Sequence, residues 1–236
     1  MLEVLGLTVA FGKQRVLEDL SFSLGAGEVV GLVAPNGSGK TTLLKAICGL
    51  QPAKGSVAIN GITIKKERTR FLRELFFIEN ITHLYQDLTV ADHLKMVKQN
   101  WPSDLSVAKV SQLFKLERFG NKPVRNMSLG MKQQLLLTMY LLSDAQIMLF
   151  DEPLNGLDPT NTYRFNQLVA HLQESGKTVI MSSHNLANLS DTCTKVMFLA
   201  EGVIKETAAP DADLDAVYKA LFLPATEEVL SWDLKE

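Results

Sequence analysis

The sequence predicts an α/β fold, in which a mainly parallel sheet is covered by helices and a helical insertion separates its two halves. Three observations predict it. Short β-rich segments fill the first 33 residues, and a glycine-rich turn then leads from an apolar run into a helix. A helical pattern occupies the chain from Leu84 to Ser143, and strand patterns return after it. The 236 residues, 46% of them hydrophobic, suit one large domain.

The first elements are β-rich. Strands are predicted at Leu2–Phe11, Val16–Leu24 and Val29–Val33. A hairpin is predicted over Gly55–Ile64, because Asn60-Gly61 between β-branched residues favours a tight turn. The charge-rich segment 65–73 is interpreted as a solvated helix face.

The later elements are helices and then further strands. The clearest helical stretches are Asp92–Gln99, Val107–Phe114 and Lys132–Leu142, and Pro102 and Pro123 interrupt this region. Strands are predicted at Ile147–Phe150, Thr178–Met181 and Lys195–Ile204, the last with a turn at Glu201-Gly202. The unbroken apolar run before Asp151 indicates a strand covered on both faces. An amphipathic helix over 213–222 precedes a polar end.

Charge and composition exclude several classes of function. The net charge of −2 gives no electrostatic reason to expect nucleic acid or an anionic membrane as the main partner. Cys48 and Cys193 are far apart and are expected to be buried, reduced thiols. Glu3 stands where a signal peptide would be basic, and the apolar run Leu135–Leu142 is too short to span a bilayer. We therefore expect a cytoplasmic protein that meets a membrane only through a partner.

The most informative segment is Ala34–Thr42, which follows the apolar run Val29–Val33 and opens a helix. A strand, a glycine-rich turn and a helix are the context of a phosphate-binding loop, in which backbone N–H groups and the helix dipole face the phosphates. Lys40 can reach the β- and γ-phosphates, and the Thr41 hydroxyl can hold Mg²⁺. Ala34 replaces the usual first glycine, which is tolerable if its φ is negative. The candidate nucleotide-binding residues are Pro35, Asn36, Gly37, Ser38, Gly39, Lys40, Thr41 and Thr42.

Polar residues follow two later strands. Asp151 and Glu152 end the run 147–150, and His184 follows the strand predicted at 178–181. Ligands of α/β proteins bind at the carboxyl ends of such strands, so these side chains should lie beside the glycine-rich turn. Asp151 is predicted to hold Mg²⁺, Glu152 to act as general base for the attacking water, and His184 to reach the γ-phosphate.

A further candidate lies at the start of the helix that ends near Leu142. Ser128 is predicted to cap this helix, and free N–H groups near Gly130 could bind an anion. Taken alone, the pattern also fits an ordinary capped helix with no function.

Together these segments resemble the ATP-binding subunit of an ABC transporter, from about Leu2 to Ile204. Segments 34–42 and 147–152 resemble its Walker A and Walker B motifs, and 127–131 resembles its signature. Residues 154–158, including Asp158, resemble its D-loop, His184 its switch histidine, and Phe11 the aromatic residue that stacks on adenine. The resemblance implies a P-loop NTPase fold in a single ATP-binding domain, 1–236. It would have a RecA-like core with an antiparallel β subdomain (1–80 and 144–205), an inserted α-helical subdomain (81–143) and a short tail (206–236).

Two departures from the family pattern stand out. Leu129 and Met131 replace a glycine and a glutamine of the signature. In this respect the chain resembles members of the bacitracin- and lantibiotic-export or self-protection branch, which carry a similar variant. This similarity implies export. Asn80, or alternatively Glu79, stands where the family has the glutamine that bears on Mg²⁺ or water.

The resemblance implies an ATPase that uses ATP and Mg²⁺ and works as a head-to-tail dimer, with a homodimer as the simpler expectation. Each nucleotide would lie between one subunit's phosphate loop and the other's Ser128–Gly130 turn, and a separate membrane permease would be the partner at the inner face of the membrane. Two alternatives are a soluble ABC-type ATPase that acts on nucleic acid or ribosomes and a nucleotide-binding regulator with weak turnover. A P-loop kinase or GTPase is disfavoured because no Asn-Lys-x-Asp base reader is present.

Overall fold

The computed structural model describes residues 1–101 and 103–223, so Pro102 and the polar end beyond residue 223 lie outside the described residues. The strands are β1 (Leu2–Phe11), β2 (Gln14–Leu24), β3 (Val29–Val33), β4 (Lys54–Ile59), β5 (Ile62–Thr63), β6 (Leu75–Phe77), β7 (Ile147–Phe150), β8 (Thr178–Ser182), β9 (Lys195–Ala200) and β10 (Val203–Ala208). The helices are α1 (Lys40–Ile47), α2 (Arg68–Arg73), α3 (Val90–Asn100), α4 (Val107–Leu113), α5 (Leu129–Ser143), α6 (Pro159–Glu174), α7 (Leu186–Thr192) and α8 (Leu214–Phe222).

The strands form two sheets. The larger has the order β10-β9-β3-β8-β7-β6, in which β9 to β6 are parallel and β10 pairs antiparallel with β9. The smaller is antiparallel with the order β2-β1-β4-β5. The predicted α/β class is confirmed, and so is the hairpin at Asn60-Gly61, where both residues have the positive φ that a tight primed turn requires.

The two faces of the parallel sheet border two different cores. Along β7, Met148 and Phe150 face the helices α3 to α8, whereas Ile147 and Leu149 face α1 and the antiparallel sheet. This division follows from the alternation of side chains along a strand. It explains why the run before Asp151 is apolar without interruption.

The helical insertion has no separate core within the described residues. Leu94 of α3 and Val110 of α4 belong to the same buried cluster as Val29 and Phe150 of the sheet. The helix α5 is apolar on nearly all sides because it lies between the insertion and the sheet.

Some boundaries differ from those predicted. The segment 84–89 is not helical, because α3 begins only after Thr89, whose side chain accepts from Asp92 N while Asp92 accepts from Thr89 N. The strand β10 extends to Ala208, three residues beyond the predicted end of the core, since its pairing with β9 continues to Val196. Cys48 and Cys193 are buried and free, as expected.

Candidate functional site

The loops after β3, β7 and β8 meet at one edge of the parallel sheet. These three strands are neighbours and parallel, so their carboxyl ends lie together. The loops after β3 and β7 border a cavity of about 560 Å³. Predicted site residues that line it are Asn36, Gly37, Gly39, Lys40, Thr41, Thr42, Asn80, Gly130, Asp151, Glu152 and Asp158.

The glycine-rich turn has the geometry expected of a phosphate-binding loop. Gly37 and Gly39 have φ of 80° and 103°, and a Cβ on Gly39 would lie 2.9 Å from Val16 Cγ1. Gly39 caps α1 without a side-chain hydrogen bond, so the N–H groups of the first helical turn are not covered by a side chain. Ala34 does not have a positive φ, which accounts for alanine at this position.

Lys40 is held against this turn. Its side chain is 7% exposed, and Nζ donates to the carbonyl of Ala34 at 2.7 Å and to that of Pro35 at 3.4 Å. Nζ also lies 3.5 Å from Oε1 of Glu152. The ammonium group therefore lies between the turn and the carboxylates that follow β7.

Asp151 connects three segments of the chain. Its Oδ2 accepts from Thr41 Oγ1 at 2.5 Å, and its Oδ1 accepts from Ser182 Oγ at 2.6 Å. Thr41 and Asp151 are 110 residues apart in sequence. The hydroxyl and the carboxylate predicted to hold Mg²⁺ are therefore in direct contact.

Glu152 is placed between Lys40 and His184. Its Oε2 lies 3.0 Å from Nδ1 of His184, whose side chain is 67% exposed. Its Oε1 is buried and makes no hydrogen bond, although it forms the longer ion contact with Lys40. A buried carboxylate oxygen without a donor is costly unless a ligand or water supplies one. This oxygen is therefore available to a molecule in the cavity.

The donor set suits Mg²⁺. Within the described part of the chain, no three His, Cys, Asp or Glu side chains are grouped so as to hold a metal by themselves. Magnesium in nucleotide sites takes one or two protein oxygens and completes its shell with phosphate oxygens and water. The Thr41 hydroxyl and the Asp151 carboxylate offer hard oxygen atoms of this type.

The start of α5 and the start of α6 border the same cavity. Ser128 caps α5 by accepting from Met131 N at 3.3 Å, and Gly130 is the second residue of this helix. Asp158 caps α6 and accepts from the backbone N of Asn161 at 2.9 Å and from its Nδ2 at 2.8 Å. Leu129 is 58% exposed at the mouth of the cavity.

Other predicted residues lie at or beyond the border of the cavity. Phe11 ends β1 and is 52% exposed, and it does not line the cavity. Glu79 and Asn80 both line it. Glu79 pairs with Lys45 Nζ at 2.9 Å, whereas the amide oxygen of Asn80 accepts from Thr82 N at 2.9 Å. Pro35, Ser38, Ser128 and His184 belong to the same loops without lining the cavity.

Three residues of the site were not predicted from the sequence. Ser182 bridges Asp151 and Glu152, Gln133 donates to the carbonyl of Pro153 at 3.1 Å, and the buried Tyr140 hydroxyl donates to the carbonyl of Leu149 at 2.5 Å. Burial raises the pKa of the Tyr140 hydroxyl, which stays neutral. The only sequence feature that could have indicated Ser182 as a site residue is its position as a polar residue at the end of a buried strand.

The chain is similar in sequence to proteins of known family. A family model described as ABC transporter matches residues 17–155. The lantibiotic transport ATP-binding protein SrtF of Streptococcus pyogenes is 30% identical over 210 residues, which cover 86% of this chain and 89% of that protein. The arabinose import ATP-binding protein AraG 2 of Burkholderia thailandensis is 34% identical over 227 residues, which cover 91% of this chain and 43% of that protein. The chain thus spans less than half the length of this arabinose import relative.

The fold of this chain is similar to the folds of solved structures. A structure described as an ATP binding subunit of an ABC transporter matches with a TM-score of 0.87 and 28% identity, over 94% of this chain and 99% of that one. Within residues 1–101 and 103–223, no helix combines the length and apolar character needed to cross a membrane.

Proposed function

The chain is an ATP-binding domain of the ABC transporter family, and from this premise we propose that it binds ATP with Mg²⁺ and hydrolyses it to drive transport through a separate membrane subunit. The observation that carries the proposal is the 2.5 Å contact between the Thr41 hydroxyl and the Asp151 carboxylate, beside the Lys40 ammonium. This contact supports the proposal, because hard oxygen atoms and the lysine ammonium beside a glycine-rich turn suit Mg²⁺ and phosphate groups.

Each residue of the site has its own role in ATP binding or hydrolysis. Backbone N–H groups of the turn and the Lys40 ammonium bind the phosphates of ATP, and Thr41 and Asp151 hold Mg²⁺, with Asn80 as a further ligand. Bound Mg²⁺ supplies charge neutralisation for the phosphate oxygens. Glu152 takes a proton from the attacking water, and His184, which contacts Glu152, reaches the γ-phosphate.

Two parts of the described surface are proposed to contact partners, one a second subunit and the other a membrane permease. In a head-to-tail homodimer, the Ser128–Gly130 turn of one subunit meets the ATP bound by the other, and the γ-phosphate adds charge-assisted hydrogen bonds to the closed state only. A second, mainly apolar groove of about 290 Å³ lies beside the helical insertion and is lined by residues that include Phe77, Leu84 and Trp101. It suits a short helix of a permease, which would hold the protein at the inner face of the membrane.

Export is the proposed direction, because the variant signature with Leu129 and Met131 resembles the lantibiotic branch. The relatives' names include both lantibiotic transport and arabinose import, so the direction stays a prediction. A regulator without turnover is disfavoured, because Lys40, Asp151 and Glu152 are all in place in the cavity.

The Glu152→Gln variant tests the proposal. We expect kcat for ATP to fall by about 10²- to 10⁴-fold, because the general base is lost, while Mg-ATP still binds. Phosphate release measures kcat and calorimetry measures binding. Glu174→Gln, which removes an exposed carboxylate at the end of α6, is the matched control.

Two results would contradict the proposal. Wild-type turnover in Glu152→Gln would exclude Glu152 as the base. Absence of Mg-ATP binding by the unchanged protein would exclude the ATPase function altogether.

A further inference from the structure

Ser182 is the last residue of β8 and is fully buried. Its hydroxyl makes two hydrogen bonds at once. It donates to Oδ1 of Asp151 at 2.6 Å and accepts from the backbone N of Glu152 at 2.8 Å. One hydroxyl therefore contacts both residues that follow β7.

Glu152 needs such a contact because its backbone is strained. Its φ is 47°, in the left-handed region that residues other than glycine rarely adopt. Strained conformations of this kind persist only where surrounding contacts hold them. The bond from Glu152 N to Ser182 is a contact of this kind. The parallel pairing of Phe150 with Met181 brings the ends of β7 and β8 together, so that Glu152 and Ser182 are close enough to form this bond.

The second bond acts on Asp151. Oδ2 of this carboxylate is engaged by Thr41, so the bond from Ser182 to Oδ1 fixes the rotation of the carboxylate plane. The short distance is typical of a hydroxyl that donates to a charged acceptor. Removal of the hydroxyl would leave the carboxylate held by Thr41 alone and the Glu152 amide without this acceptor.

We propose that Ser182 is a positioning residue for ATP hydrolysis, which holds the general base Glu152 and the Mg²⁺-binding carboxylate of Asp151 in one geometry. This inference rests on the function proposed above. Ser182 does not line the cavity, so it acts through its two neighbours and not on ATP. Its loss should therefore lower kcat more than it weakens nucleotide binding.

The chain offers a matched control for the loss of a buried serine hydroxyl. Ser143, at the end of α5, is 2% exposed, and its hydroxyl donates to the carbonyl of Tyr140 at 2.7 Å and accepts from Ala145 N at 3.4 Å. Like Ser182, it makes one bond in each direction, but its partners are the backbone groups of Tyr140 and Ala145, so it contacts neither Asp151 nor Glu152. Ser143→Ala therefore reports the purely structural cost.

The experiment compares Ser182→Ala and Ser143→Ala with the unchanged protein. We expect Ser182→Ala to lower kcat by about 10- to 100-fold, with KM for Mg-ATP changed by less than about threefold, because a bond to a charged group is lost. Hydrogen exchange of the Glu152 amide, measured without nucleotide, should become about fivefold faster or more. Ser182→Thr, which keeps the hydroxyl, should recover most of kcat if it folds with an unchanged melting temperature.

The measurements of kcat and of Glu152 amide exchange distinguish a failure of this inference from a failure of the proposed function. Unchanged exchange of the Glu152 amide in Ser182→Ala would overturn the inference, and so would a kcat equal to that of Ser143→Ala. If the unchanged protein fails to hydrolyse ATP, the proposed function fails, whereas amide exchange still tests the bond from Ser182 to Glu152.

Discussion

At the scale of single residues, the left-handed backbone positions of the site differ in cost, as Gly39 and Glu152 show. Gly39 has a φ of 103° and Glu152 a φ of 47°. Glycine adopts such a conformation freely, whereas a residue with a side chain does so at a cost of about 1–3 kcal/mol. The strained backbone thus lies at the residue proposed as the general base, and the bond from Glu152 N to Ser182 helps to hold this conformation.

The Gly39→Ala variant tests how tightly the phosphate-binding turn is packed. A Cβ at Gly39 would lie 2.9 Å from Val16 Cγ1, in addition to the cost of the positive φ. We expect the melting temperature to fall by more than about 4 °C and Mg-ATP affinity to drop. Calorimetry measures both quantities.

Gly37→Ala is the control for that variant. Gly37 also has a positive φ, of 80°, but no atom lies within 4 Å of the Cβ position. Gly37→Ala therefore carries the backbone strain without the clash. Equal losses of thermal stability in the two variants would show that contact with Val16 does not matter.

At the scale of elements, side-chain caps mark the starts of several helices in this protein, and residues of this kind can be read from the sequence. Ser128 caps α5 and Asp158 caps α6. At the start of α3, hydrogen bonds from the Thr89 hydroxyl and backbone hold the pKa of Asp92 below its ordinary value. Residues 84–89 could not be placed in the same way, because their conformation depends on a tertiary contact with His93.

His93 attaches α3 to the segment that borders the apolar groove. Its side chain is 1% exposed, and Nε2 accepts from Tyr85 N at 3.1 Å. Since a backbone N–H can only donate, Nδ1 carries the ring proton and donates to the carbonyl of Thr89 at 2.8 Å. The two ring nitrogens of His93 therefore hold this turn, one as acceptor and one as donor.

His93→Phe should lower the free energy of unfolding by about 1–3 kcal/mol, because Tyr85 N loses its acceptor. Urea denaturation measures the change. The matched control is His171→Phe, which alters an exposed histidine of α6. A loss of stability no greater than in the control would exclude the anchoring role of His93.

At the scale of the whole molecule, local patterns predicted most elements but not their neighbours in space. The runs 29–33 and 147–150 predicted buried strands, and the turn 34–42 predicted the phosphate site. Nothing in either run indicates that β8 lies between them. For this reason the role of Ser182, which follows from the register of β7 with β8, became visible only in the structure.

The same reasoning applies to the surface that would meet a second subunit. The Leu129 side chain is exposed beside Gly130, and both line the nucleotide cavity within one chain. A dimer that closes on ATP would cover this exposed start of α5. Ser128 belongs to this start but does not line the cavity, so an obstacle at Ser128 should block closure and leave the subunit's own cavity open.

We predict that Ser128→Arg abolishes ATP-dependent dimerisation, because a long charged side chain would enter the space that the partner's nucleotide occupies. The measurement is the molar mass from light scattering with Mg-ATP, in a Glu152→Gln background that preserves bound ATP. Ser106→Arg is the matched control, since Ser106 is also an exposed serine that caps a helix, at the start of α4. Both substitutions remove a helix cap, but we expect the Ser106→Arg protein to dimerise like the Glu152→Gln protein. If only the Ser128→Arg protein stays monomeric, the loss of a helix cap cannot be the cause. A Ser128→Arg protein that still doubles its mass with ATP would show that the start of α5 is not part of the closed interface.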